Sequence, residues 1–196
     1  MTTLPLPTSF IDTVAAVQRV LDAFAQQGVI IGGVAASLLG KPRTTADVDA
    51  VILLSTDDLP RLLTVAAREG LLPRTDNAEA FARRHRVLLL QHNATGIGVD
   101  ISLGVLPFEI ETVERSQLIQ IENIEIRLPT PEDLIIQKAI AHRPKDLSDI
   151  ATIIDSHPKL DWDRIQFWVQ QFGEALEMPE LWQDIAQMRP KGKRKK

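Results

Sequence analysis

The sequence predicts an α/β chain, α+β in its arrangement. A sheet flanked by helices runs to about residue 129, and a helical portion follows to about residue 188. Three observations carry this. Short apolar or alternating runs of strand length interleave with helical periodicities in the first two thirds of the chain. From Thr130-Pro131-Glu132-Asp133 onward only helical patterns remain, broken at Pro144, Pro158 and Pro179. The 196 residues, 44% hydrophobic and 24% charged, have an ordinary globular balance that disfavours disorder and fibrous repeats. The expected division is therefore an α/β core over 1–129, a helical portion over 130–188 and a basic, disordered tail over 189–196.

The elements follow in order. Phe10, Val14, Val17, Leu21 and Phe24 share one helical face, predicting an amphipathic helix over 10–27 with Thr8 or Ser9 as its cap and Gly28 as its stop. Val29 to Ile31 reads as a short strand running into Gly32-Gly33, and 34–39 as a brief helix ended by Gly40 and Pro42. Val48 to Leu54 is a strand, 58–69 a second amphipathic helix closed by Gly70, and 77–84 a helix. Val87 to Gln91 and Val99 to Leu103 are strands around the turn-rich His92-Asn93-Ala94-Thr95-Gly96. A short helix near 108–115 precedes two short strands, 118–121 and 124–128, split by Glu122-Asn123. Thr130 as cap, Pro131 at the first helical position and acids in the first turn then start the helical portion. Trp162, Trp168 and Trp182 all lie there among Ile165, Phe167, Val169 and Phe172, a pattern that core packing explains better than base stacking.

Several function classes are excluded. There are no cysteines, hence no disulfide framework, Cys-based zinc site, iron–sulfur ligation or thiol nucleophile. His85, His92, His142 and His157 show no zinc-binding spacing, and no GxSxG pattern supports a serine hydrolase. The longest apolar run, Val29 to Gly40, is about half the length that spans a bilayer. The start, MTTLPLPTSF, has no signal-peptide pattern, so the sequence predicts a cytoplasmic protein with no membrane partner. Of 22 basic residues, six lie in the last eight, RPKGKRKK; the remainder holds 16 against 26 acids, a net charge of −10. An acidic body argues against a body-wide nucleic-acid surface. The tail reads as a solvated end, or else as an electrostatic handle for RNA.

Four features carry chemistry. Gly32-Gly33, between a strand and a helix, suits close backbone approach to an anion, or simply a tight turn. Asp47 and Asp49 open a strand, so their carboxylates share one face while Val48 points to the core. Like charges so close call for a cation, and hard cations such as Mg²⁺ prefer carboxylate oxygens; a solvated strand-end pair is the plain alternative. Asp100 is a lone acid between β-branched residues, and aimed at the first two it would complete a two-metal site for phosphoryl transfer. Arg43, Thr44 and Thr45 precede the acid pair and suit phosphate recognition, or surface polarity and capping.

Together, GGVAASLLGKPRTTADVDAVI and the later VDI resemble the nucleotidyltransferase fold of the polymerase-β superfamily, with its Gly-Gly or Gly-Ser turn, two alternating acids on one strand and a third on a later strand. The 13-residue spacer between Gly33 and Asp47 is at the long end for that superfamily. Arg43-Thr44-Thr45 and PEDLIIQKAIAHRPKDLSDI resemble more narrowly the AbiEii-like branch, which includes nucleotidyltransferase toxins of toxin–antitoxin systems. That branch often carries Gly-Ser where this chain has Gly32-Gly33. The likeness spans roughly residues 28–155.

The resemblance implies a nucleotidyltransferase-type mixed sheet and transfer of a nucleoside monophosphate from an NTP to an acceptor hydroxyl. It implies Mg²⁺ held by Asp47 and Asp49, with Asp100 completing a two-metal site and helping to deprotonate the acceptor. It also implies nucleotide phosphates at Gly32 and Gly33, a phosphate-reaching Lys138 and a later acid at Asp149. The acceptor would be tRNA or a protein, with a cognate antitoxin as partner. From the residues alone, Lys138 either snorkels to the surface or reaches into a cleft, and Asp149 forms a surface pair with Lys145. Two other readings stay open: a non-catalytic nucleotide- or partner-binding module on the same fold, and a small-molecule nucleotidyltransferase.

Overall fold

The computed structural model describes residues 8–190, so the basic end of the tail, residues 191–196, lies outside the described residues. The chain divides into two compact units. One comprises the chain up to Leu38 together with Pro42–Thr130; the other comprises Leu39–Lys41 and the chain from Pro131 on.

The first unit holds a five-stranded mixed sheet: β1 (Gly28–Ile31), β2 (Asp47–Ile52), β5 (Gly98–Leu103), β4 (Val87–His92) and β3 (Leu71–Pro73), in that spatial order. β2 and β5 pair in parallel, and every other pair is antiparallel. Burial alternates along the central strands: Val48, Ala50, Val99, Ile101, Leu88 and Leu90 are all 0–1% exposed, whereas Asp47, Asp49, Gly98 and Asp100 are half-buried. Pleating thus sends the apolar set to one face and the acids to the other. β3, which the sequence pattern misses, is an edge strand of three residues ending in Pro73; an edge tolerates proline because the missing N–H faces away from the ladder.

Helix α1 (Thr8–Asp22) packs its apolar stripe, Phe10, Val14, Val17 and Leu21, on β1 and β2. A Cβ at Gly28 would lie 2.6 Å from Leu21 Cδ2, so glycine here admits the helix onto the strand. Ser9 lies inside α1 rather than capping it, and its carbonyl accepts a hydrogen bond from Thr13 Oγ1 (3.1 Å). The helix ends five residues before the sequence predicts, because Ala25 and Gln26 adopt left-handed backbone (φ 54° and 60°) and reverse the chain into β1. Gly28 is therefore the first residue of a strand, not a helix stop.

Helices α2 (Gly32–Leu39), α3 (Leu59–Arg68, preceded by a 3₁₀ turn at Thr56–Asp58), α4 (Ala78–His85) and α5 (Pro107–Glu114) complete the unit with the hairpin of β6 (Gln117–Ile121) and β7 (Ile124–Leu128). Gln18 of α1 accepts the Arg127 amide of β7 (2.8 Å) and ties the hairpin to the body. On the acid-bearing face, Val29 and Val51 pack with Val113 of α5, flanked by Ile31 and Leu53. One end of that face is thus covered, while the end bearing Asp47 and Asp49 is not part of this cluster.

The second unit is helical: α6 (Pro131–Ala141), α7 (Pro144–Ser156), α8 (Trp162–Ala175) and α9 (Glu180–Met188). Leu134, Ile135, Ile136, Ile150, Ile153, Ile165, Val169, Leu181 and Ile185 form its interior. Trp168 packs between Phe167 and Phe172, at centroid distances of 5.3 and 5.9 Å. No helix among the described residues is long and apolar enough to cross a membrane.

Ile101, fully buried at the centre of β5, tests the sheet. Ile101→Ala should cost about 2–5 kcal/mol, read as a lower denaturant midpoint with an unchanged slope.

Candidate functional site

The parallel register of β2 and β5 sets Asp47 opposite Gly98 and Asp49 opposite Asp100. Cross-strand partners share a face, and so do residues two apart on one strand. Asp47, Asp49 and Asp100 therefore lie on one face. Gly98 occupies the fourth corner, where any side chain would stand beside Asp47: its ideal Cβ is 3.9 Å from Asp47 Cβ.

The glycine pair adjoins this face. β1 ends at Ile31, opposite Asp49, and Gly32 starts α2 in left-handed backbone at φ 65°. A Cβ at Gly32 would fall 1.9 Å from Asp49 Oδ2, so the carboxylate rests on the bare Cα. A Cβ at Gly33 would fall 2.3 Å from Thr45 Oγ1 and 3.4 Å from Arg43 Nη2. The segment between α2 and β2 thus folds back over the helix start. Ser37 Oγ bonds the carbonyls of Gly33 (2.9 Å) and Arg43 (3.1 Å), fastening the two. Thr45 Oγ1 lies within hydrogen-bond reach of the Asp47 main-chain oxygen (3.2 Å) and of Asp47 Oδ1 (3.4 Å). Arg43 Nη1 donates to the Thr44 carbonyl at 3.1 Å. Gly32, Gly33, Arg43, Thr45, Asp47, Asp49 and Asp100 are thereby gathered in one unit, with Thr44 contributing through its backbone.

Sequence reasoning missed Arg74. Its amide donates to Leu89 O (3.2 Å), which continues the β3–β4 ladder by one residue, and its guanidinium bonds Asp100. No local pattern marks this residue; only strand register reveals it. Burial raises the Asp100 carboxyl above its ordinary value; Arg74 opposes that rise and the Asp47 charge adds to it, with a net upward shift.

The donor set, three carboxylates on one face beside two glycines with no Cβ, fits a hard divalent cation in its chemistry. Arg74 already engages one Asp100 oxygen, and no group of three His, Cys, Asp or Glu among the described residues is gathered as a metal centre.

Lys138 and Asp149 lie in the second unit, on α6 and α7. Lys138 neither snorkels nor stands open: it is 4% exposed, with Nζ 2.7 Å from Asp149 Oδ2 and 3.1 Å from Asp146 Oδ1. Asp149 is likewise buried, with Lys138 as a close partner, while Lys145 is exposed. Asp146 also accepts from Arg143 Nε (2.5 Å) and Nη2 (3.2 Å) and from the Arg143 amide (3.3 Å) as α7 begins. Burial alone would raise the Asp146 carboxyl; the hydrogen bonds from Arg143 and Lys138 outweigh it and hold the carboxyl below its ordinary value.

The histidines are engaged individually. His92 Nδ1 meets Thr95 Oγ1 (2.9 Å) and Thr13 Oγ1 (3.1 Å), His142 Nε2 meets Asp184 (3.0 Å), and His157 Nε2 meets the Leu39 carbonyl (2.7 Å).

Residues 9–183 match the family described as "Nucleotidyltransferase of unknown function (DUF6036)". The chain belongs to this family. No curated protein matches it. Among solved structures it is similar to an antigenic nucleotidyltransferase-like protein from Paracoccidioides brasiliensis, with TM-score 0.55 and 18% identity over 93% of this chain and 94% of that one. It is also similar to the antibiotic-resistance factor ANT(2'')-Ia, with TM-score 0.56 and 12% identity over 88% and 97%. At these identities the likeness shows the fold, which is that of nucleotidyltransferases. The family match bears out the resemblance to nucleotidyltransferases without extending to the AbiEii-like branch.

Asp146 gives a measurable consequence. A carboxyl held low in the folded state contributes stability above its unfolded pKa and loses it as pH falls through the folded pKa. Asp146→Asn should destabilise the protein by about 3 kcal/mol near neutral pH. The gap to the native protein should close below about pH 4, as thermal melts across pH will show.

Proposed function

We propose that the chain is a Mg²⁺-dependent nucleotidyltransferase that moves a nucleoside monophosphate from an NTP to an acceptor hydroxyl. The observation that carries this reading is the row of acids: Asp49 directly beside Asp100, with Asp47 on the same face and Asp49 lying against Gly32 at the start of α2. Asp47 and Asp49 would hold the cation, and Asp100 would complete the two-metal set. When bound, Mg²⁺ would supply charge stabilisation at the phosphoryl oxygens.

The chain's own groups do the rest. The amides at the start of α2 face the triphosphate, because a helix N-terminus favours an anion. The bare Cα atoms of Gly32 and Gly33 let the phosphates come close. Arg43, Thr44 and Thr45 supply donors beside them. The acceptor oxygen bonds to the α-phosphorus as the bond to the bridging oxygen breaks. Pyrophosphate leaves, and Asp100 receives the acceptor proton. The sequence resemblance also assigns nucleotide phosphate to Lys138 and Asp149; within the second unit the two are buried and paired with each other.

The same resemblance extends the proposal to the acceptor. We assign it to tRNA or a protein, as in an AbiEii-like toxin acting in the cytoplasm with a cognate antitoxin as partner.

The test is label transfer. Protein, Mg²⁺, each α-radiolabelled NTP in turn and total bacterial tRNA should give labelled tRNA or labelled protein. Asp47→Asn or Asp49→Asn should lower the rate by about a hundred- to a thousandfold with a melting temperature that does not fall. Full turnover by Asp49→Asn would overturn the mechanism. Nucleotide binding without transfer to any macromolecule would shift the reading to a small-molecule acceptor or a non-catalytic module.

A further inference from the structure

One row runs across the sheet through four strands and one residue beyond. Register aligns Ile31 of β1 with Asp49 of β2, Asp49 with Asp100 of β5, and Asp100 with Leu89 of β4. The Arg74 amide bonds Leu89 O, so Arg74 extends the row. Partners in such a row share a face, and two strand spacings span about 9–10 Å. The Arg74 side chain therefore crosses over Leu89 to bond Asp100. Gly98 makes room for it: a Cβ there would lie 2.9 Å from Arg74 Nη1. The guanidinium thus lies over a bare stretch of β5, next to the strand that carries Asp47 and Asp49.

We propose that Arg74 is the chain's own counter-ion for the third carboxylate and competes with a divalent cation for Asp100. This rests on the reading of the acid face as a metal site. The contact is poised for exchange. The two side chains keep 36% and 31% of their surface exposed, and such partly solvated pairs contribute little stability. A guanidinium and a divalent cation seek the same carboxylate oxygens, so each weakens the other's hold. Arg74 thereby relieves the repulsion between Asp100 and its acidic neighbours in the metal-free protein and sets the cation concentration at which the face fills.

Mn²⁺ titration without nucleotide, read from the electron paramagnetic resonance of the free ion, separates this from a purely structural pair. The full chain is compared with Arg74→Gln, Arg74→Lys, Asp49→Asn and, as a surface control, Arg84→Ala. Arg74→Gln should bind Mn²⁺ at least about fivefold more tightly, whereas Arg74→Lys and Arg84→Ala stay within about twofold of the native protein. Asp49→Asn should abolish the binding. Unchanged or weaker Mn²⁺ binding by Arg74→Gln, with Asp49→Asn still losing the ion, would overturn the role of Arg74 and leave the metal reading standing. An equal gain in Arg74→Lys would also overturn it, because the charge would not be the cause. Mn²⁺ binding by none of the proteins, or undiminished by Asp49→Asn, would overturn the metal reading and this inference with it.

Discussion

Parallel pairing of β2 with β5 sets Asp49 beside Asp100 and puts Asp47 on the same face, which concentrates negative charge that a folded protein must offset. The surroundings answer that constraint. Gly32 removes a side chain so that the Asp49 carboxylate can lie against the start of a helix, whose dipole favours an anion. Thr45 reaches Asp47, and Arg74 reaches Asp100 across a neighbouring strand. Each contact lowers the cost of the cluster, yet the offset is assembled from partly exposed contacts. On the proposed function, these partners would give way to an incoming cation and phosphate.

The second unit treats charge in the opposite way. Lys138, Asp146 and Asp149 are almost fully buried, and Arg143 closes over Asp146 at the start of α7. Arg164 and the buried Asp133 add a further pair between α8 and α6, at 2.7 Å. Removing one member of such a set strands a charge away from water, which is far more costly than loss of a surface pair. These ions lock helices that share an otherwise aliphatic interior. A polar set of this kind specifies one arrangement where apolar packing alone would tolerate several.

Much of this was legible in the sequence because the signals were local. Asp47-Val48-Asp49 followed by apolar residues states which side chains share a face, and Gly32-Gly33 marks a strand-to-helix turn. Thr130-Pro131-Glu132-Asp133 marks where the helical portion begins. What escaped was what depends on register or on unusual backbone. β3 is three residues long with Leu72 exposed, too short to show a period, and Arg74 acquires meaning only once β3, β4 and β5 are aligned. The early end of α1 follows from left-handed Ala25 and Gln26, residue types that carry no turn signal. Lys138 read as a surface or cleft lysine because its carboxylate partners, 8 and 11 positions away, meet it only when α7 folds back on α6.

The central claim is that Asp47 and Asp49 hold the cation that orients a nucleotide over Gly32-Gly33. A crystal structure with Mn²⁺ and a non-hydrolysable NTP analogue tests it most directly. The account predicts an anomalous difference peak coordinated by oxygens of both Asp47 and Asp49, with the analogue's phosphates at the start of α2. Ordered analogue with its phosphates elsewhere, or manganese bound away from these two carboxylates, would contradict it.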